Sequence, residues 1–512
     1  MISNWYSRLL SAGGFCFVVF LSCWWVRALY LVPLVLVVWM YRRVVCDFGR
    51  HINEAVERMT LWREILGLLG IVILGILARL AWLVVVVSGI VPTNLSDYAF
   101  IWQNAHEITN GSWPVSKSWV TALYYAGLIK IFDSIIFAYV GTIALQVFTG
   151  VLGWCIVRKC GGRFAGFCFI VMTMLSPNVI VFSAVTATEN LYAFFIVVIT
   201  GFVCKAIRHP SVLLSVPTGL IIWMATWSRA EGVMLWAAVF IPLIAHAIAG
   251  RFPWKTLICW ILILVGMFGV GAIAALRINK ATTNDVTIFC SNDNLVPRYM
   301  GSVVETGGRF NGAIYDEFNK DEGPCATMQV CAGNHELRQK WFKLLVRRTE
   351  QNWNALTFGQ KIVFVFRKQM TDWWGFASLA LANMRYSYEF FFAAFCSLIL
   401  LVAGFSFLFA RNLFDGGFLL MVLAGTICAL SVGEAQPRYS YLMYWVLPFY
   451  AAMGLAMFCK NGVLKSRPVP SSPIMTALCG DRPFRSPINI GFSRGQTLST
   501  LRQSTISILR KS

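Results

Sequence analysis

Residues 67–91 read GLLGIVILGILARLAWLVVVVSGIV, and two residues later the chain continues NLSDYAFIWQNAHEITNG (94–111). The first run is longer than the 18 or so apolar residues a helix needs to cross a hydrocarbon core. The second is too polar to stay in lipid and too aromatic for a plain linker. Together they describe a helix that leaves a membrane and at once presents Asp97, Tyr98, His106 and Glu107.

The same alternation extends outward from this point. The chain has 512 residues, 58% of them hydrophobic and only 13% charged, against about 25% charged in soluble proteins. Expected spans are 13–40, 64–91, 134–157, 164–182, 189–206, 211–228, 232–250, 256–277, 389–410, 415–432 and 441–458. The fold class is an all-α polytopic membrane protein with about 11 transmembrane helices; continuous helical runs argue against a barrel. The first run has no short apolar region with a small-residue cleavage site and reads as an uncleaved span.

The net charge is +20. In a soluble chain that would suggest nucleic acid. Here Lys and Arg gather in short segments: 41–63, 157–163, 205–210, 251–255, Arg411 and the tail from Lys460. The positive-inside bias puts these on the cytoplasmic face, beside anionic lipid, and nucleic acid is not an expected partner. The expected divisions are an N-terminal span with a basic segment (1–63), a transmembrane module (64–277) whose first outer loop is 92–133, a non-cytoplasmic cap with an interfacial amphipathic helix (278–388), C-terminal helices (389–458) and a basic tail (459–512). Cys290, Cys325 and Cys331 share the large loop, where one disulfide among three pairings is open. The five His lack metal-ligand spacing, so no metal and no cofactor are expected.

Every run that mixes acid, base and aromatic residues falls on the other face. Asp97 with Tyr98 is either a functional carboxylate or a solvated loop end; Lys117, between Trp113 and Trp119, is the strong cation that follows. In FSAVTATENLYAFF (182–195), Glu189 either faces the same cleft or simply favours a helix N-terminus, with Thr188 as a cap. In WSRAEGVMLW (227–236), Arg229 and Glu231 sit between two spans, where a mutual ion pair is the structural alternative. In SVGEAQPRYSYLMYWVLP (431–448), Arg438 and Tyr439 stand on the face where a gratuitous Arg is disfavoured, and a guanidinium there suits phosphate.

The ordered set SDYAFIWQNAHEITNGSWPVSKSWVTALYYAGLIKIF, TENLYAFF, SRAEGVML and GEAQPRYSYLMYWVLPF resembles the GT-C glycosyltransferases that use polyprenyl-phosphate sugars, in particular the protein mannosyltransferase and aminoarabinose transferase group (family 39-like). The resemblance runs over roughly 64–460. It implies a GT-C fold with outer juxtamembrane helices and a large non-cytoplasmic loop. It implies Asp97 as catalytic base, with Glu107 or Glu189 as a second acid, since Ser96 precedes Asp97 where relatives often pair two acids. It implies Lys117, Arg229, Arg438, Tyr439 and Tyr98 around the donor's phosphate. Ser118 and Ala230 stand where relatives often have Pro.

The implied reaction is metal-independent, inverting transfer of one sugar from a polyprenyl-phosphate carrier to a hydroxyl of a surface glycan, lipid or protein. The implied place is the periplasmic or extracellular face of a bacterial inner or plasma membrane. The implied partners are donor, acceptor and membrane lipid. A ligase of whole lipid-linked glycans is the nearer alternative. A transporter or flippase is the further one, because the charges gather at one surface rather than in mid-span.

Overall fold

The computed structural model describes residues 42–88, 97–112, 118–283, 286–288, 295–308, 312–322, 334–374, 418–419, 422, 425–426 and 441–461. Among these residues every regular element is helical. In chain order they are α1 (Arg42–Glu57), α2 (Leu61–Val87), α3 (Asp97–Thr109), α4 (Trp119–Ile129), α5 (Ile135–Gly161), α6 (Arg163–Met174), α7 (Pro177–Val181) and α8 (Thr188–Arg208). Then follow α9 (Ser215–Ser228), α10 (Met234–Ile248), α11 (Trp254–Thr283), α12 (Leu295–Met300), α13 (Ala313–Glu322), α14 (His335–Asn354), α15 (Phe358–Trp374) and α16 (Met443–Asn461). Short 3-10 turns at 182–184, 212–214 and 230–233 adjoin α7, α9 and α10.

Six helices are long and apolar enough to cross a membrane, or seven if the bent pair α6–α7 counts as one span. The chain is a polytopic, all-α integral membrane protein. The expected count of about 11 is not reached among the described residues. Spans 13–40 and 389–410 lie outside them, and 415–432 is described at only a few positions. Buried apolar surface is shared very unequally. Of their most apolar stretches, α8 and α16 bury 72%, whereas α2 buries 28% and α11 22%. The first two are therefore the centre of the bundle. The last two present Leu69, Ile73, Leu77, Leu80 and Val84, and Ile258, Leu262, Val265, Val270 and Ile273, outward, as lipid-facing helices do.

The expected span 164–182 is not one straight helix. It breaks after Met174 and bends by 50° before α7. Ser176-Pro177 explains the break: proline disfavours helical backbone at the residue before it, and its fixed φ suits the first position of a new helix. Expected span 211–228 begins as a 3-10 turn, with α-helix only from Ser215.

One end of the bundle is sewn together by ions. Glu64, fully buried in the first turn of α2, accepts from Arg158 at the end of α5 and from Arg163 at the start of α6. Arg163 also donates to the carbonyls of Glu57 (2.8 Å) and Met59 (2.5 Å). Between the two arginines Gly162 holds φ at +96°, and an added Cβ would overlap the Glu57 carboxylate. Glycine is required there both for its left-handed backbone and for the close approach.

The large loop contains a cluster of its own. Tyr299, Met300, Ile314, Phe318, Trp341 and Leu345, drawn from α12, α13, α14 and adjoining residues, bury one another, and Arg348 pairs with Glu317. Burial raises the Tyr299 phenol above its ordinary range. Within the expected cap, where one interfacial amphipathic helix was expected, α14 and α15 are separate helices. Thr357 Oγ1 accepts from Gln360 N (3.4 Å) while Gln360 Oε1 accepts from Thr357 N (2.9 Å), a reciprocal cap that starts α15 afresh. Helix α15 exposes Phe358, Ile362 and Val363 and buries Phe364 and Lys368, the latter bonded to Gly301 O at 2.8 Å. The three loop cysteines lie outside the described residues.

Candidate functional site

Near the C-terminal end of α2, Leu83 and Val86 pack with Ala184, and the chain beyond Ala184 leads to a group of polar side chains from separate elements. Arg229, in the junction between α9 and α10, is the hub. Its Nη1 lies 2.6 Å from Glu189 Oε1, and its Nη2 lies 3.1 Å from Glu231 Oε1. Nη1 also donates to Thr188 Oγ1 at 3.3 Å, and that hydroxyl donates to Glu189 Oε2 at 3.0 Å. The guanidinium stands 6.0 Å from the Tyr192 ring centroid, one turn along α8. Glu189 is nearly buried and Glu231 half-exposed, so one cation holds a dry carboxylate and a wet one. The Arg229–Glu231 pair, the structural alternative for this junction, is present, and Glu189 is added to it.

Thr188 does not cap α8. It is the first residue of that helix, behind Ala187, with its hydroxyl turned to Glu189. The hydroxyl two residues earlier makes the link to the first loop: Thr186 Oγ1 donates to Tyr98 O at 2.6 Å. That bond brings the segment leading into Glu189 against the first turn of α3, which begins at Asp97. Tyr98 is buried. A second link joins the loop's far side to the hub. Ser118 donates to Ser228 O at 2.9 Å, next to Arg229, and holds φ at +70°. Left-handed backbone costs a non-glycine residue about 1–3 kcal/mol and persists where neighbours over-determine it. Trp119 and Trp227 pack edge-on beside this link, with ring centroids 5.8 Å apart.

Glu107 is not part of this assembly. It lies ten residues beyond Asp97, about 15 Å along α3, and accepts from Gln103 on its own helix at 3.3 Å. Its neighbour His106 stands 3.7 Å from Asp133 and edge-on to Trp102. Lys117, Arg438 and Tyr439 lie outside the described residues, as does the side chain of Asp97. Among the described residues no group of three or more His, Cys, Asp and Glu is placed to hold a metal ion.

Beneath the hub is a polar network centred on Arg79 and Gln146, residues outside the sequence motifs. Arg79, fully buried in α2, donates through Nε to Gln146 Oε1 (2.7 Å) and through Nη1 to Gly75 O and Met174 O (both 2.8 Å). Gln146 in α5 reaches Val179 O and Asn190 Oδ1 (both 2.9 Å), and Tyr441 donates to Asn190 Oδ1 at 2.7 Å. The available signal was an arginine in mid-helix, the one charged residue of α2 after its first turn, since such a residue marks function or a demanding polar partner.

No family model matches this chain, and no curated protein matches it. Among solved structures, the archaeal oligosaccharyltransferase AglB from Archaeoglobus fulgidus, in complex with an inhibitory peptide and a dolichol-phosphate, is similar with a TM-score of 0.44 and 14% identity. The match covers 82% of this chain and 54% of that one, so this chain spans about half of its length.

Proposed function

We propose that this chain is a GT-C-type glycosyltransferase that moves a sugar from a polyprenyl-phosphate carrier to a hydroxyl acceptor at the non-cytoplasmic face of a bacterial inner or plasma membrane. The observation that carries the reading is the Thr186–Tyr98 bond. It joins the segment leading into the Glu189–Arg229 pair to the turn that begins at Asp97. The ordered motifs supply the chemistry for that place, and the concentration of Arg and Lys near the Glu64 end supports the orientation.

In this mechanism the acceptor oxygen attacks the anomeric carbon, and its proton passes to Asp97. The bond from that carbon to the phosphate oxygen breaks, and the polyprenyl phosphate leaves with the electron pair. Direct displacement inverts the anomeric centre. Arg438, Tyr439 and Lys117 grip the phosphate, where fixed cations help most because charge develops there. Arg229 holds Glu189 as the second carboxylate and supports the donor side. No step requires a divalent metal.

The test uses full-length protein in lipid nanodiscs with a polyprenyl-phosphate sugar. Asp97→Asn is expected to lower turnover by ~10²–10⁴-fold, with the protein still monodisperse. Wild-type turnover in that variant sinks the assignment of the base. Product mass separates transfer of one sugar from transfer of a whole lipid-linked glycan. Movement of the lipid donor across the bilayer without any new glycosidic bond would replace the reading with transport.

A further inference from the structure

We infer that Arg79 and Gln146 are positioning residues that clamp the broken span α6–α7 and thereby set where Glu189 stands; this rests on the reading of Glu189 and Arg229 as the site. A helix break inside a membrane frees carbonyl oxygens that lipid cannot satisfy. Here four carbonyls between Met174 and Phe182 receive side-chain donors from three other helices. Met174 O takes Arg79 and Val181 O takes Trp82 (3.2 Å), both from α2. Val179 O takes Gln146 from α5, and Phe182 O takes Asn190 from α8 (3.0 Å). Beyond Phe182 the chain runs directly to Thr186, Thr188 and Glu189.

The choice of an arginine is itself informative. Each hydrogen bond described for Arg79 goes to a carbonyl or amide oxygen, and none to a carboxylate. Its Nη2 is buried with no hydrogen-bond partner among the described residues. A charge so placed is costly in a span, and an apolar side chain would fill the space at lower cost. What an apolar side chain cannot do is reach the last carbonyl of α6 while bonding Gln146. Gln146 in turn bonds Asn190, whose backbone neighbour is Glu189. Tyr441 closes the network from the start of the last helix, its ring stacked on Phe182 with centroids 4.3 Å apart.

The experiment compares wild type with Gln146→Leu and Tyr441→Phe in nanodiscs, by amide hydrogen exchange and by steady-state transfer from a polyprenyl-phosphate sugar. Exchange across 176–190 is expected to quicken on the order of tenfold in Tyr441→Phe, which breaks its bond to Asn190, and by more in Gln146→Leu, which loses its bonds to Arg79, Val179 O and Asn190, with α14 unchanged. Turnover is expected to fall ~10- to 10²-fold, as misplacement of a reacting group does, with donor KM unaltered. Unchanged exchange, or equal quickening in α14, overturns the clamp. A rise in donor KM at constant turnover overturns its positioning role. If Gln146→Leu does not fold, Tyr441→Phe decides, since it removes one hydroxyl and keeps the ring. If wild type transfers nothing from the lipid donor, the reading of the site fails, and the exchange result still decides whether the clamp exists.

Discussion

Arg229 is the residue on which the outer assembly turns, because it neutralises a carboxylate that has little water. Removing it strands Glu189. Arg229→Ala is therefore expected to destabilise the chain by about 3–5 kcal/mol, the usual cost of leaving one member of a buried pair alone. Glu189→Gln, which keeps the shape and leaves Arg229 paired with the wetter Glu231, is expected to cost less. Thermal unfolding in detergent checks the order of the two variants, and equal midpoints would mean that Glu189 is better hydrated than its burial implies. At this scale the sequence was legible where charged residues sit at span ends, as with Glu189, Arg229 and Glu231. Of the two acids it offered beside Asp97, Glu189 pairs with Arg229 and Glu107 bonds Gln103 on its own helix, a difference that a one-dimensional pattern does not carry. It gave no sign of the left-handed backbone at Ser118, whose hydroxyl bonds Ser228 O.

At the scale of elements, hydropathy located eight of the expected spans close to helices that are seen, because a helix in lipid must be apolar for its whole crossing. Hydropathy does not register a break, and 164–182 read as one span although Ser176-Pro177 marked the discontinuity. Tight helix crossings were equally invisible. A Cβ at Gly271 of α11 would overlap the indole of Trp223 in α9, whose Nε1 is tied to Met267 O at 2.8 Å. The indole is held by that bond and by stacking on Phe268 (5.5 Å between centroids), so it cannot yield as a flexible side chain would. Gly271→Ala is expected to lower stability by about 1–3 kcal/mol, as overpacking does. Gly266→Ala in the same helix, where an added Cβ meets nothing within 4 Å, is the control and is expected to be neutral or slightly stabilising. Equal unfolding midpoints for the two variants would show that α9 and α11 separate easily.

Across the whole molecule, two polar ends face away from each other along α2. One is the fully buried Glu64 between two arginines, each about a third exposed. The other is the Arg229 assembly. Because the arginines are partly solvated, Glu64→Gln is expected to cost toward the low end for a broken buried pair, about 3 kcal/mol, read as a lower unfolding midpoint. The proposed orientation puts Ser112 and Arg58 on opposite faces of the membrane. A cysteine at Ser112 should react with a membrane-impermeant thiol reagent from outside the cell, above the wild-type background. One at Arg58 should react only after permeabilisation. Labelling of both from one side would end the proposed orientation and, with it, the extracytoplasmic site.

The central helices are also shorter than those around them. Helix α8 has 21 residues and α16 has 19, about 30 Å each, whereas α2 with 27 and α11 with 30 reach about 40–45 Å. Among the described spans α2 and α11 bury the smallest share of their apolar stretch, so they weigh most in the hydrophobic thickness this protein demands of its host bilayer. Lipids with short tails would have to be matched by tilting α2, and with it the side chains that hold the broken span in register. Turnover should therefore follow acyl-chain length even for a donor bound to saturation.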